Sequence, residues 1–119
     1  MNDEIRNNKT FEERVLYSKK LLNKYPDRVP IIIEKSKRDK TDSLLDPSKC
    51  KYLIPKHLHV SQLLLLIRRN IKIDSNKAIF IFVDNCLVPT SSEIGSIYNA
   101  HKDSDGFLYI SYACENTFG

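Results

Sequence analysis

KYLIPKHLHVSQLLLLIRRNI, residues 51–71, carries a strand signal, a proline stop and a helix signal in direct succession. Lys51 to Ile54 is short, with large apolar side chains, and Pro55 closes it because proline has no amide hydrogen to give a ladder. Val60, Leu63, Leu64, Ile67 and Ile71 then recur at helical spacing, and Leu65 and Leu66 make the helix apolar around much of its girth. Such a helix is either central to the molecule or covered in part by a partner.

Upstream, RVPIIIEK (residues 28–35) is a β-branched strand, and Pro30 argues for an unpaired point and an accessible edge there. Residues 36–48, rich in Lys, Asp, Ser and Thr, read as a loop. Thr10-Phe11-Glu12-Glu13 has the form of a capping box and predicts a helix. Phe11, Val15 and Leu22 form its apolar stripe, Leu21 and Tyr25 widen it, and Pro26 ends it. Downstream, AIFIFV (residues 78–83) is a buried strand, and Asp84-Asn85 turns the chain into Cys86-Leu87-Val88. Thr90-Ser91-Ser92-Glu93 repeats the capping-box pattern before a short helix with Ile94, Ile97, Tyr98 and His101 on one face. Residues 103–106 turn into the alternating strand FLYISYAC (residues 107–114), and the polar tail 115–119 is expected to project freely. Helices scattered among strands without regular alternation predict an α+β domain, one mixed sheet with helices mainly on one face.

The 119 residues suit a single domain, and 41% hydrophobic with 29% charged residues is a globular composition. Nineteen Lys+Arg against 15 Asp+Glu leave a net charge of +4, a mild preference for acidic partners. Cys50, Cys86 and Cys114 are odd in number and lack C-x-x-C spacing, which suggests neither a disulfide framework nor zinc, and reduced thiols are expected. The longest apolar run, Leu63 to Ile67, is far short of a bilayer span, so membrane association is expected to be acquired.

Catalysis is not expected, because His57, His59 and His101 have no accompanying motif. No metal is expected either: His57 and His59 lack closing ligands, and a calcium loop built on Gly106 would put His101 and Tyr112 at ligand positions. Lys35, Lys37, Arg38 and Lys40 have no interleaved aromatics, so they read as a solvated loop and not as a nucleic-acid surface. Two features invite a functional reading. Lys51 to Pro55 suits strand addition by an extended peptide, with packing in the core as the competing account. The terminal Phe118-Gly119 lacks a final Cβ and would thread through a narrow enzyme channel.

Read in order, Tyr25-Pro26-Asp27-Arg28-Val29-Pro30, Lys51 to Pro55, Phe80-Ile81-Phe82-Val83, Pro89-Thr90-Ser91 and Asp105-Gly106-Phe107-Leu108-Tyr109 resemble the autophagy-related protein eight family. These are ubiquitin-like modifiers that include GABARAP and the microtubule-associated light-chain proteins, and the similarity runs from about Phe11 to Gly119. The resemblance implies a ubiquitin-like β-grasp core, a four-stranded mixed sheet, preceded by two N-terminal helices. It divides the chain into a helical extension (1–25), the core (26–114) and a conjugation tail (115–119). It implies a substrate of conjugation and not an enzyme. An E1-like enzyme adenylates Gly119, an E2-like carrier passes it as a thioester to phosphatidylethanolamine, and a cysteine protease processes and deconjugates. No cofactor is expected. The implied chain is monomeric, cytoplasmic, and on autophagosome or other vesicle membrane once lipidated.

Receptors with an aromatic-x-x-aliphatic motif would add a strand along Lys51 to Ile54. By position, Leu21, Pro30, Ile32, Lys51, Leu53 and Phe107 would line the aromatic pocket, and Tyr52, Ile54, Pro55, Leu58, Leu63, Leu66 and Ile67 the aliphatic one. Arg28, Lys49 and Lys51 would meet acidic flanks, and Phe80 and Phe82 the protease and related partners. Asn70 stands at a basic position of the family pattern, Tyr17 at an acidic one and Leu63 at an aromatic one, which bears on ligand preference. The alternative is an unconjugated adaptor in vesicle trafficking or cytoskeletal attachment that uses the same groove.

Overall fold

In a computed structural model the described residues are 9–74 and 76–114. Helix α1 (Phe11–Lys24) is followed by β1 (Arg28–Lys35), β2 (Leu44–Leu45), a 3-10 turn (Pro47–Lys49), β3 (Lys51–Pro55), α2 (Val60–Asn70) and β4 (Ile71–Lys72). Then come β5 (Ile79–Val83), β6 (Cys86–Leu87), α3 (Ile94–His101) and β7 (Leu108–Cys114). The main sheet has the order β3-β1-β7-β5-β6, with β1 and β7 parallel at its centre and the other pairs antiparallel. The expected mixed sheet thus carries a fifth, two-residue strand, and a separate β2-β4 pair closes part of the segment read from sequence as loop. The first of the two expected N-terminal helices and the tail from residue 115 lie outside the described residues.

Five successive residues of β1, Val29 to Ile33, are buried, so both faces of the sheet are covered. Val29, Ile31 and Ile33 share one core with Leu108, Ile110 and Tyr112 of β7, with Leu63 and Ile67 of α2, and with Ile94 and Ile97 of α3. Ile32 and Phe107 fall outside that core, on the opposite face, where the Tyr17 ring of α1 lies 5.9 Å from the Phe107 ring. Two described helices therefore cover one face and α1 the other.

The Thr10 capping box forms as read: Thr10 Oγ1 accepts the Glu13 N–H at 3.1 Å, and Glu13 Oε1 accepts the Thr10 N–H at 2.8 Å. The apolar stripe of α1 buries shallowly, however, and the residue it seats deepest is Ser18. Ser18 Oγ donates to the Asp105 carbonyl at 2.6 Å, and Gly106 (φ +93°) passes so close that a Cβ there would meet Ser18 Oγ at 2.2 Å. Asp105 completes the joint, its buried carboxylate accepting from Arg14 Nε at 3.0 Å, from the Phe107 N–H at 2.9 Å and from the Tyr109 hydroxyl. The turn read as merely polar thus fastens α1 to β7.

The Thr90 capping box does not form. Glu93 is the N-cap of α3 and makes no side-chain cap. Leu58 O accepts the Ile94 N–H at 2.8 Å and Lys56 O the Gly95 N–H at 2.9 Å, so neighbouring backbone satisfies the donors a side chain would have taken. Asp84 and Asn85 do turn the chain, at φ 51° and 65°, as a tight hairpin requires.

Pro30 does not mark an edge; β1 is interior and β3 is the edge. The Ile33 N–H bonds Cys50 O at 2.7 Å and the Lys56 N–H bonds Asp27 O at 2.9 Å, so odd-numbered residues of β1 bond even-numbered residues of β3. Pro30 faces the other way, one residue before the parallel ladder to β7 starts at Ile31, and its missing hydrogen breaks no bond. The same alternation aims the N–H and C=O groups of Lys51 and Leu53 outward, along an edge that no described strand covers. Amide hydrogen exchange should therefore be at least about tenfold faster at Lys51 and Leu53 than at Tyr52 and Ile54. Equal protection would mean the edge is covered.

Buried Asp39 gathers the loop after β1. Its carboxylate accepts from the Thr41 N–H at 2.8 Å, the Thr41 hydroxyl, the Ser43 hydroxyl at 3.1 Å and the Cys114 N–H at 3.1 Å. Burial by itself raises the carboxyl, but these hydrogen bonds outweigh it and hold the group below its usual value. The stabilisation is therefore complete above the unfolded value of 3.8 and is lost as pH falls through the folded one. Asp39→Asn should cost about 1–3 kcal/mol at pH 7. In thermal unfolding at pH 3 that deficit should shrink; a deficit independent of pH would rule out the carboxylate's part.

Candidate functional site

The edge strand β3 divides two apolar surfaces. Cross-strand pairing sets Leu53 beside Pro30 and Lys51 beside Ile32, and these side chains share the α1 face of the sheet. Phe107 and Ile32, at 1% and 0% exposure, form the floor there, while Leu21 and Leu53 are half-buried. The six residues expected at an aromatic pocket are thus drawn from α1, β1, β3 and the approach to β7.

Tyr52 pairs with Ile31 and Ile54 with Val29 on the opposite face, where α2 packs. Ile54, Leu63 and Ile67 are buried and belong to the core, while Tyr52, Pro55, Leu58 and Leu66 are half-buried around them. Pro55 O accepts the Leu58 N–H at 3.2 Å, which bends the chain from β3 into α2. Leu65 of α2 is 64% exposed. Asn70, at the end of α2, donates from Nδ2 to the Tyr52 hydroxyl at 2.9 Å. Burial raises the Tyr52 phenol, and the Asn70 hydrogen bond opposes that shift. Asn70 thus positions the Tyr52 ring on the α2 face of β3.

Arg28, Lys49 and Lys51 are all exposed at the two ends of the edge, and the described ion pairs, Arg14–Asp105 and His101–Asp84, use none of them. Arg28 lies 5.6 Å over the Tyr25 ring. Lys51 Nζ donates to the Tyr17 hydroxyl and lies 4.3 Å from that ring's centroid, so a phenol reaches from α1 to the edge strand. The sequence places Tyr17 at a departure from the family pattern that bears on the mouth of the aromatic pocket and on ligand preference; its contact with Lys51 depends on how α1 docks.

Phe80 is half-buried and Phe82 7% exposed, paired with Ala113 and Ser111 of β7, far along the sheet from β3. The Arg38 guanidinium lies 5.7 Å over the Phe82 ring. Gly119 lies outside the described residues. Among the described residues no group of three His, Cys, Asp or Glu could hold a metal ion, and no helix is long and apolar enough to cross a membrane.

The family profile "Autophagy protein Atg8 ubiquitin like" matches residues 13–119. Autophagy-related protein 8e of Arabidopsis thaliana is 48% identical over 109 residues, covering 92% of this chain and 87% of the relative. Autophagy-related protein 8 of Schizosaccharomyces pombe is 46% identical over 119 residues, covering 100% of this chain and 96% of the relative. The crystal structure of Trypanosoma brucei ATG8 superposes with a TM-score of 0.85 at 34% identity, covering 97% of each chain. With the β-grasp sheet and its flanking helices, these likenesses show that the chain belongs to the Atg8 family of ubiquitin-like autophagy proteins.

Proposed function

We propose that this chain is an autophagy modifier conjugated through Gly119 to phosphatidylethanolamine, and that it recruits receptors by accepting an aromatic-x-x-aliphatic segment as an added strand on β3. The observation that carries the docking reading is the relation between the open edge and the two surfaces beside it. An added strand sends successive side chains to opposite faces. Anchors three residues apart therefore fall on opposite faces, one toward Leu21, Leu53 and Phe107, the other toward Tyr52, Leu66 and Ile67. The outward groups of Lys51 and Leu53 supply main-chain bonds to any sequence, and the two surfaces select the anchors.

Arg28, Lys49 and Lys51 favour acidic residues flanking the motif, chiefly through association rate. The lipid arm of the reading rests on family membership and on a glycine at position 119, to which the family match extends. In it the chain is substrate, and the chemistry belongs to an activating enzyme, a carrier enzyme and a processing protease. Attachment would move the protein from cytoplasm to autophagosome membrane.

Leu53→Ala should weaken an acidic-flanked aromatic-x-x-aliphatic peptide by about 1–3 kcal/mol in calorimetric titration. Unchanged affinity would remove the groove assignment. In a reconstituted conjugation reaction on phosphatidylethanolamine vesicles, Gly119→Ala should abolish the mobility shift of the lipidated form. A shift that persists would refute attachment at Gly119, and a wild-type chain that never shifts would leave the unconjugated adaptor.

A further inference from the structure

Resting on the docking reading above, we propose that Tyr17 is a lid over the aromatic surface, latched by Lys51, and that a receptor peptide must displace it to seat its aromatic anchor. Tyr17 stands on α1 and reaches to the edge strand, where its hydroxyl accepts a hydrogen bond from Lys51 Nζ. Its ring packs at 5.9 Å and a 59° tilt on Phe107, which is left 1% exposed. It therefore touches both the floor of the surface and the cation at its rim. An anchor ring cannot reach Phe107 while the phenol is there, and a main-chain partner for Lys51 arrives beside an ammonium already engaged.

The latch is weak enough to open. It is one hydrogen bond near the surface, one tilted ring contact and the attraction of an exposed ammonium 4.3 Å from the ring centroid. Lys9 Nζ lies 5.7 Å from the same ring, so a second cation attracts the ring face without bonding the hydroxyl. An acidic residue beside the anchor would draw Lys51 away from Tyr17 and open the lid as it binds, which couples the charged flank to the apolar anchor. The apparent dissociation constant is the intrinsic one divided by the fraction of chains with the lid open.

Tyr17→Phe removes the hydroxyl and keeps the ring, so the test isolates the latch. Wild type, Tyr17→Phe and Tyr17→Ala are titrated with one acidic-flanked, Trp-anchored peptide, with stopped-flow rates, amide shifts at Leu53 and Phe107, and thermal unfolding to show that each chain is folded. Loss of one hydrogen bond to the closed form should tighten Tyr17→Phe by about two- to tenfold. The gain should lie in the association rate, and Tyr17→Ala should bind at least as tightly as Tyr17→Phe. If wild type binds and Tyr17→Phe binds equally or more weakly, the phenol is a wall or a ligand contact and the lid is overturned while the groove stands. A gain lying wholly in the dissociation rate likewise overturns it. If none of the three chains binds, the groove reading falls, and the lid with it.

Discussion

Burial of β1 on both faces is the constraint from which the rest of the molecule follows. Val29 to Ile33 are all buried, and each large aliphatic side chain taken from water contributes about 1.5–3 kcal/mol. A strand buried on both faces needs cover on both, so α2 and α3 close one side and α1 the other. It also needs a neighbour along each edge, which makes β1 interior and pushes the short β3 to the rim. The open edge is thus a consequence of where the most apolar strand had to go.

That arrangement makes the two faces unequal. The α2 and α3 face is a continuous core, in which Leu63, Ile67, Ile94 and Tyr112 are essentially without solvent contact. The α1 face is thinner, with Phe11 and Leu16 exposed and a serine at the deepest point of the helix. What α1 lacks in apolar burial is offset by the polar joint at Asp105, whose carboxylate ties Arg14, Tyr109 and the Phe107 amide together. Tyr17 lies between Arg14 and Ser18, the two α1 residues of that joint, so the joint also sets where its ring meets Phe107 and Lys51. The α1 face of the edge strand is thus built from few apolar contacts and a polar joint, while the α2 face is framed by the core and by the Asn70–Tyr52 hydrogen bond.

Much of the fold was legible in local pattern. The strands at 28–35, 51–55, 79–83 and 108–114, the helices, the Asp84-Asn85 turn and the Thr10 capping box all rest on spacing or on residues acting within a few positions of themselves. The short pair Leu44–Leu45 with Ile71–Lys72 was invisible, because two residues carry no period and their partners are distant in sequence. Thr90 to Glu93 matches the same capping pattern as Thr10, yet the backbone of residues 56–58 reaches the helix donors first. Pro30 misled for a related reason: proline shows that a donor is missing but not which side of the strand it is missing from.

For the site, the sequence by itself determined which residues are apolar, which strand is short and proline-closed, and which family the ordered motifs resemble. It also determined the basic residues that the edge carries. Only the tertiary structure decided that β3 is the rim and β1 interior, that Lys51 and Leu53 aim their backbone groups outward, and that the two apolar surfaces lie on opposite faces. It alone decided that Tyr17 meets Lys51 and Phe107. The physical reason is one of range. Periodicity, capping and turn chemistry are settled within one segment, whereas edge position and side-chain contact depend on which distant segments exclude water from one another.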